Sequence, residues 1–229
     1  MKKILLGAVS AAALVFGLGA GPASAAPITS VGTLTAANGS VFTNFSCTIT
    51  SGGAGVNTPD LCGQIDVQLD NGNLIFTSGF SAIGAGAFED VLIRYAVTNP
   101  YGIGAIDLSF SPVFFGLAVA SVTEQVRTDS FTSTNIVGSA NVICTSSGLG
   151  GGCDLADPPF EGPPDMPLNG TYTSTLYVVK DINLTAVAGG AINSFVGQSF
   201  TVVPEPASLA LFGAGLFGLG LARRRRRAA

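Results

Sequence analysis

The sequence predicts an all-β fold over residues 26–202, an antiparallel β-sandwich of the jelly-roll or immunoglobulin-like kind. Three observations predict it. Apolar and polar residues alternate at a period of two, as strands with one buried face require. Signals rich in Gly, Pro and Asn interrupt the alternation at short intervals. No stretch between the two ends carries the 3.6-residue apolar period of a soluble helix.

The elements follow in order. Val41 to Ile49 places Val41, Thr43, Phe45, Cys47 and Ile49 on one face. In Gln64 to Leu69, Ile65, Val67 and Leu69 face inward, and Gln64, Asp66 and Gln68 face outward. Asn71-Gly72 separates that run from Leu74 to Thr77 and predicts a type I′ hairpin. Further strands are expected at 88–98, 106–110, 114–124, 130–136, 139–145, 172–179, 182–187 and 200–203. Asn99-Pro100-Tyr101-Gly102, Ser111-Pro112 and Gly189-Gly190 are the turns expected between them. An N-x-x-C-T pattern occurs at Asn44 to Thr48 and again at Asn141 to Thr145, each before a Gly-rich loop. Two equivalent strand-loop units would explain it, and so would chance.

Four cysteines, Cys47, Cys62, Cys144 and Cys153, permit three disulfide connectivities. The pairing Cys47–Cys62 and Cys144–Cys153 is favoured, because each pair then brackets one Gly-rich loop. The spacings contain no C-x-x-C, so a four-cysteine metal site is the weaker reading.

Both ends depart from the β pattern. At the start, Lys2 and Lys3 precede an apolar run from Ile4 to Leu18. Ala23-Ser24-Ala25 then forms an A-x-A cleavage site with Ala26 as the first mature residue. Residues 1–25 are therefore expected to be a secretory signal peptide, cut by signal peptidase. At the other end, residues 203–229 read as Val203-Pro204-Glu205-Pro206, an uncharged run from Ala207 to Ala222, and the block Arg223, Arg224, Arg225, Arg226 and Arg227. A helix over 207–222 would reach roughly 24 Å, a little short of a ~30 Å hydrocarbon core. Arginines snorkelling to the headgroups and local thinning absorb the difference. The positive-inside rule puts the Arg block in the cytoplasm and Pro204-Glu205-Pro206 on the outer side of the membrane. Proline keeps that motif extended.

Pro204-Glu205-Pro206-Ala207-Ser208, the Gly/Leu-rich span and the terminal Arg block together resemble the PEP-CTERM sorting signal of Gram-negative bacteria. The resemblance implies recognition by exosortase, a membrane protease-transpeptidase, with cleavage near the motif. It implies an inner-membrane-anchored intermediate, followed by delivery to the cell surface, outer envelope or extracellular matrix, in the company of extracellular polysaccharide. It covers about the last 26 residues and loosely the 25 before them, from Val179-Lys180-Asp181-Ile182 through Gly197-Gln198-Ser199-Phe200-Thr201, and does not identify the domain.

Composition narrows what that domain does. Between Ala26 and Val203, three bases (Arg94, Arg127, Lys180) face thirteen acids, a net charge of −10. Such a domain repels nucleic acid and anionic lipid. The chain has no histidine, which removes the commonest general base and every Ser-His or Cys-His nucleophile system. Asp154, Asp157, Glu161 and Asp165 crowd one Pro/Gly-rich loop and are the Ca2+ candidates, since hard cations draw several oxygens from a loop. Their spacing fits no dedicated calcium loop, and the expectation is a solvated acidic loop with no metal and no cofactor. Asp66 with Asp70, and Glu89 with Asp90, are the carboxylate pairs available for glycoside chemistry. Adjacent strand residues such as Glu89 and Asp90 point to opposite faces, and Asp66 and Asp70 flank a turn where solvated carboxylates are ordinary. Tyr95, Tyr101, Tyr172 and Tyr177 are the candidate sugar-stacking platforms, in a chain without tryptophan. The expectation is a secreted, non-enzymatic envelope or matrix protein. A carbohydrate- or calcium-binding adhesion module is the first alternative and a glycan-processing enzyme the second.

Overall fold

The computed structural model describes residues 25–53, 62–70, 72–153 and 166–203. The leader with Ala23, the acidic loop with Asp154, Asp157, Glu161 and Asp165, and the tail from Pro204 through the expected transmembrane span 207–222 to Arg223–Arg227 lie outside the described residues. So does Asn71.

Twelve strands form among the described residues, with no α-helix: β1 (Ala26–Pro27), β2 (Leu34–Thr35), β3 (Val41–Gly52), β4 (Asp66–Asp70), β5 (Asn73–Ile83), β6 (Phe88–Thr98), β7 (Ile103–Phe110), β8 (Val113–Arg127), β9 (Ile136–Thr145), β10 (Gly152–Cys153), β11 (Met166–Tyr172) and β12 (Leu176–Val202). The ladders between them are antiparallel. The fold is all-β, as the alternation requires.

β12 organises everything else. Its first part, from Leu176 to Thr185, lies between β6 and β8, with β3 and β2 beyond β6, and β9 and β10 beyond β8. Its second part pairs with β5 over Gly190 to Gln198 and with β7 over Val196 to Val202; β4 and β1 continue beyond β5, and β11 beyond β7. A straight strand of its 27 residues would run about 90 Å. Instead Lys180 and Gln198, eighteen positions apart on the same strand, touch side chain to side chain at 2.9 Å. The strand therefore folds back on itself, and its two parts face each other across the core.

The bend sits where Gly189 pairs with Gly116, beside a register shift between Ala186 and Ala188. Both glycines have positive φ, +117° and +86°. A Cβ on Gly189 would stand 2.0 Å from the Phe115 carbonyl oxygen, and one on Gly116 would stand 2.2 Å from that of Ala188. Only glycine allows the two backbones this approach. The expected turn at Gly189-Gly190 is thus a bend inside one strand. The ladder to β8 runs through it and the ladder to β5 begins at Gly190, so the strand does not end.

Aromatic rings close the core between the two parts. Phe200 packs against Phe42 of β3 at 5.5 Å and against Tyr95 of β6 at 6.4 Å; Phe76 of β5 meets Tyr95 at 5.7 Å. All four are buried. A ring of this kind contributes about 3–5 kcal/mol by its loss to alanine.

Several expectations need correction. Phe42, not Val41 or Thr43, is buried at the start of β3, while Phe45, Cys47 and Ile49 pack on the core further along. A register shift between Thr43 and Ser46, with Asn44 at φ 56°, flips the inward face midway. No strand forms over 130–135. Asp129 there accepts hydrogen bonds from Ser133 Oγ and Asn135 Nδ2, and Asn135 N–H donates to Ser133 Oγ. Side chains of this kind compete with a sheet ladder for the backbone. The strands expected at 172–179, 182–187 and 200–203 merge into β12, apart from Tyr172, which ends β11. β4 and β5 form the expected hairpin, with Asp70 opposite Asn73 and Gly72 at φ +88°. The two N-x-x-C-T segments lie in β3 and β9, which occupy equivalent places on either side of β12, each one strand removed from it.

Candidate functional site

The bridges are Cys47–Cys62 and Cys144–Cys153, with Cα atoms 5.7 and 3.8 Å apart. The first ties β3 to the short 3-10 turn Cys62–Gln64, and the second ties β9 to β10, where Cys153 sits opposite Cys144 in the ladder. Both close loops at the margin of the sheet and leave its centre free of cysteine chemistry.

The carboxylates named as candidate pairs stand in different settings. Asp66 and Asp70 sit at the two ends of β4, the first half-buried and the second exposed at the hairpin. Glu89 is buried and accepts the Ser81 backbone N–H at 3.3 Å. Burial pushes its carboxyl up to about 7, against the smaller opposing pull of that hydrogen bond. Asp90, on the opposite face, stands beside Asp181 of β12. Burial and then the Asp90 carboxyl raise Asp181 to about 6. That pair is invisible in sequence because its members are 91 positions apart and meet only through the β6–β12 ladder, where Asp90 lies opposite Asn183. No group of three metal-ligating side chains gathers among the described residues.

The four tyrosines stand in different settings. Tyr95 is fully buried, its hydroxyl without a hydrogen-bond partner among the described residues, so it is a core ring and not an exposed one. Tyr172 is half-buried and its hydroxyl donates to Asn169; Tyr177 lies edge-on to Phe131 at 5.1 Å. Tyr101 is exposed on the Asn99–Gly102 turn.

The interior holds the constellation that sequence reasoning missed. Lys180, Glu124 and Gln198 are all buried, from the first part of β12, from β8 and from the second part of β12. Lys180 Nζ donates to Glu124 Oε2 and to Gln198 Oε1. Burial pushes the Glu124 carboxyl up, with Lys180 pulling it back, and pushes the Lys180 amine down, with Glu124 pulling it back. The signal was present in the chain: Val178, Lys180 and Ile182 share one face of an alternating run. It is lost when Lys180-Asp181 is read as a break between two strands.

Val202, the last residue of β12, pairs with Ile103, and the Val203 N–H donates to the Gly102 carbonyl at 3.0 Å. The next residue is Pro204, which has no N–H to continue a ladder. No match to the chain is found among the curated proteins or the solved structures. Residues 202–227 do match a described family, the PEP-CTERM protein-sorting motif, and the match starts on the last residue of β12. That match identifies the chain as a protein carrying a PEP-CTERM sorting motif, which marks it for export and exosortase-directed sorting.

Proposed function

We propose that the chain is a non-enzymatic passenger of the exosortase route, built to populate the outer envelope or extracellular matrix of a Gram-negative cell. The observation that carries this reading is the sorting-motif match over residues 202–227, which begins on the last residue of β12. Cleavage at or after Pro204-Glu205-Pro206 removes no residue of β12, so the passenger keeps its ladder to β7 after release. Signal peptidase acting after Ala25 likewise leaves Ala26 and Pro27 paired to Val67 and Asp66 of β4. On this reading the domain is a sandwich whose two layers share β12, and residues 207–222 hold the intermediate in the inner membrane until transfer. The test is fractionation of cells carrying Glu205→Ala or lacking Arg223–Arg227. Retention of unprocessed protein in the inner membrane supports the reading; unchanged delivery to the outer surface removes it.

A second reading, an adhesion module for glycans or Ca2+, draws on the Asp90–Asp181 pair on the face of the sheet away from the core. A glycan array and a calcium titration followed by thermal shift decide it. A glycan hit, or a Tm that rises with Ca2+ and no longer does so in Asp181→Asn, favours adhesion over a purely structural passenger.

A further inference from the structure

Lys180 is the one lysine between Ala26 and Val203, and it is completely buried. Lysine is among the residues least often found fully inside a protein, and an ionised buried pair costs several kcal/mol per ion in lost hydration. A stabilising core needs no such pair, because apolar side chains of similar volume serve as well or better. What surrounds the amine has a chemical use. Gln198 presents a carboxamide, with Oε1 at 2.9 Å from Nζ. Its Cδ carbon is therefore no more than about 4 Å from the nitrogen, close to the distance of a near-attack arrangement. Glu124 bonds the same amine and also faces the Gln198 carboxamide. All three side chains are buried, so the site is enclosed.

We propose that Lys180 and Gln198 condense into an intramolecular amide bond, with Glu124 carrying the proton. The Nζ lone pair attacks Gln198 Cδ, forming the new C–N bond. Glu124, in its acid form, donates to the carboxamide as the tetrahedral centre forms. The Nζ proton passes through the Glu124 carboxyl to Nε2, the Cδ–Nε2 bond breaks, and ammonia leaves. As the C=O re-forms, its oxygen returns the first proton to Glu124, which ends as the acid it began as. No electrons are exchanged and no co-reactant is needed. Burial favours the reactive forms, a neutral amine and a neutral acid, over the ion pair. Once ammonia has escaped, water is the only reagent that reverses the bond, and the enclosed site excludes it.

The bond would join the two facing parts of β12 and lock the bend at Gly189. A protein exported to an exposed surface gains from this what its two marginal disulfides do not supply, a covalent tie at the centre of the fold.

The test is mass spectrometry of the full chain purified from the envelope of cells that export it, reduced, alkylated and digested with trypsin. The expected result is no cleavage after Lys180. Lys180 and Gln198 should then lie on one tryptic peptide beginning at Thr128, lighter than its unmodified sequence by one ammonia. Cleavage after Lys180 with unaltered masses overturns the proposal, and so does loss of one water with linkage to Glu124. Lys180→Arg should restore the full mass. Glu124→Ala should leave Lys180 free and cleavable, and a bond that still forms in that variant overturns the role given to Glu124. If Glu124→Ala does not fold, the wild-type masses decide alone.

Discussion

The chain up to Val203 and the chain after it store information in opposite ways. Before Val203, meaning lies in pairing: Lys180 matters because Glu124 and Gln198 meet it, and Gly189 matters because Phe115 approaches it. After Val203, meaning lies in order along the chain, Pro-Glu-Pro, an apolar run and an Arg block, with a family match to that segment. A linear signal can be moved, and a folded domain cannot be cut. On the proposed reading, this difference makes address and cargo separable.

The largest effect should come from moving the tail. Residues 203–229 joined to an unrelated exported domain should send most of it to the fraction where this protein is found, by fractionation and immunoblot. If the graft stays periplasmic, the two regions are not independent. Next in size is damage to the bend. Gly189→Val forces a β-branched Cβ against the Phe115 carbonyl at positive φ. The expected cost is at least about 3 kcal/mol, enough to leave the domain unfolded or degraded. Circular dichroism should show loss of the β spectrum. A native melting curve for Gly189→Val would mean the bend is not a constraint on the fold.

Removing the larger disulfide comes third. Cys47 and Cys62 close a span of fifteen residues, so Cys47→Ser with Cys62→Ser should lower stability by about 2–4 kcal/mol. Thermal melting of the purified passenger reads this, and delivery of the surviving folded protein should be unaffected. The smallest effect is on pH dependence. Glu89 is raised from 4.5 to about 7 and Asp181 from 3.8 to about 6 in the folded domain. Each therefore takes up a proton on folding, and its contribution is full below the unfolded value and lost as pH rises through the folded one. The passenger should melt at a lower temperature at pH 8 than at pH 5. Glu89→Gln should flatten that slope between about 4.5 and 7, and an unchanged slope would show that Glu89 is not the group responsible.

The same contrast explains what could be read from sequence. The tail is legible because its physics is local. The β6 strand is legible to the residue because Phe88 to Thr98 alternates without interruption. The β4–β5 hairpin is legible because Asn71-Gly72 has few other uses. β12 is not, because Gly189-Gly190 and Lys180-Asp181 carry the composition of breaks while neighbouring strands hold the ladder through both. β11 hides behind Pro167 and Gly170 and survives through pairing with β7. The buried Lys180–Glu124–Gln198 group is illegible for the reason that makes it interesting: three residues spread over 75 positions meet only because β12 turns back on itself.

The separability of cargo and address is tested most directly at the C-terminus of the protein recovered from the cell surface. Mass spectrometry should find a chain that ends at or near Pro204-Glu205-Pro206, with β12 complete through Val202 and the Arg223–Arg227 block gone. A surface protein intact through Ala229 would contradict it.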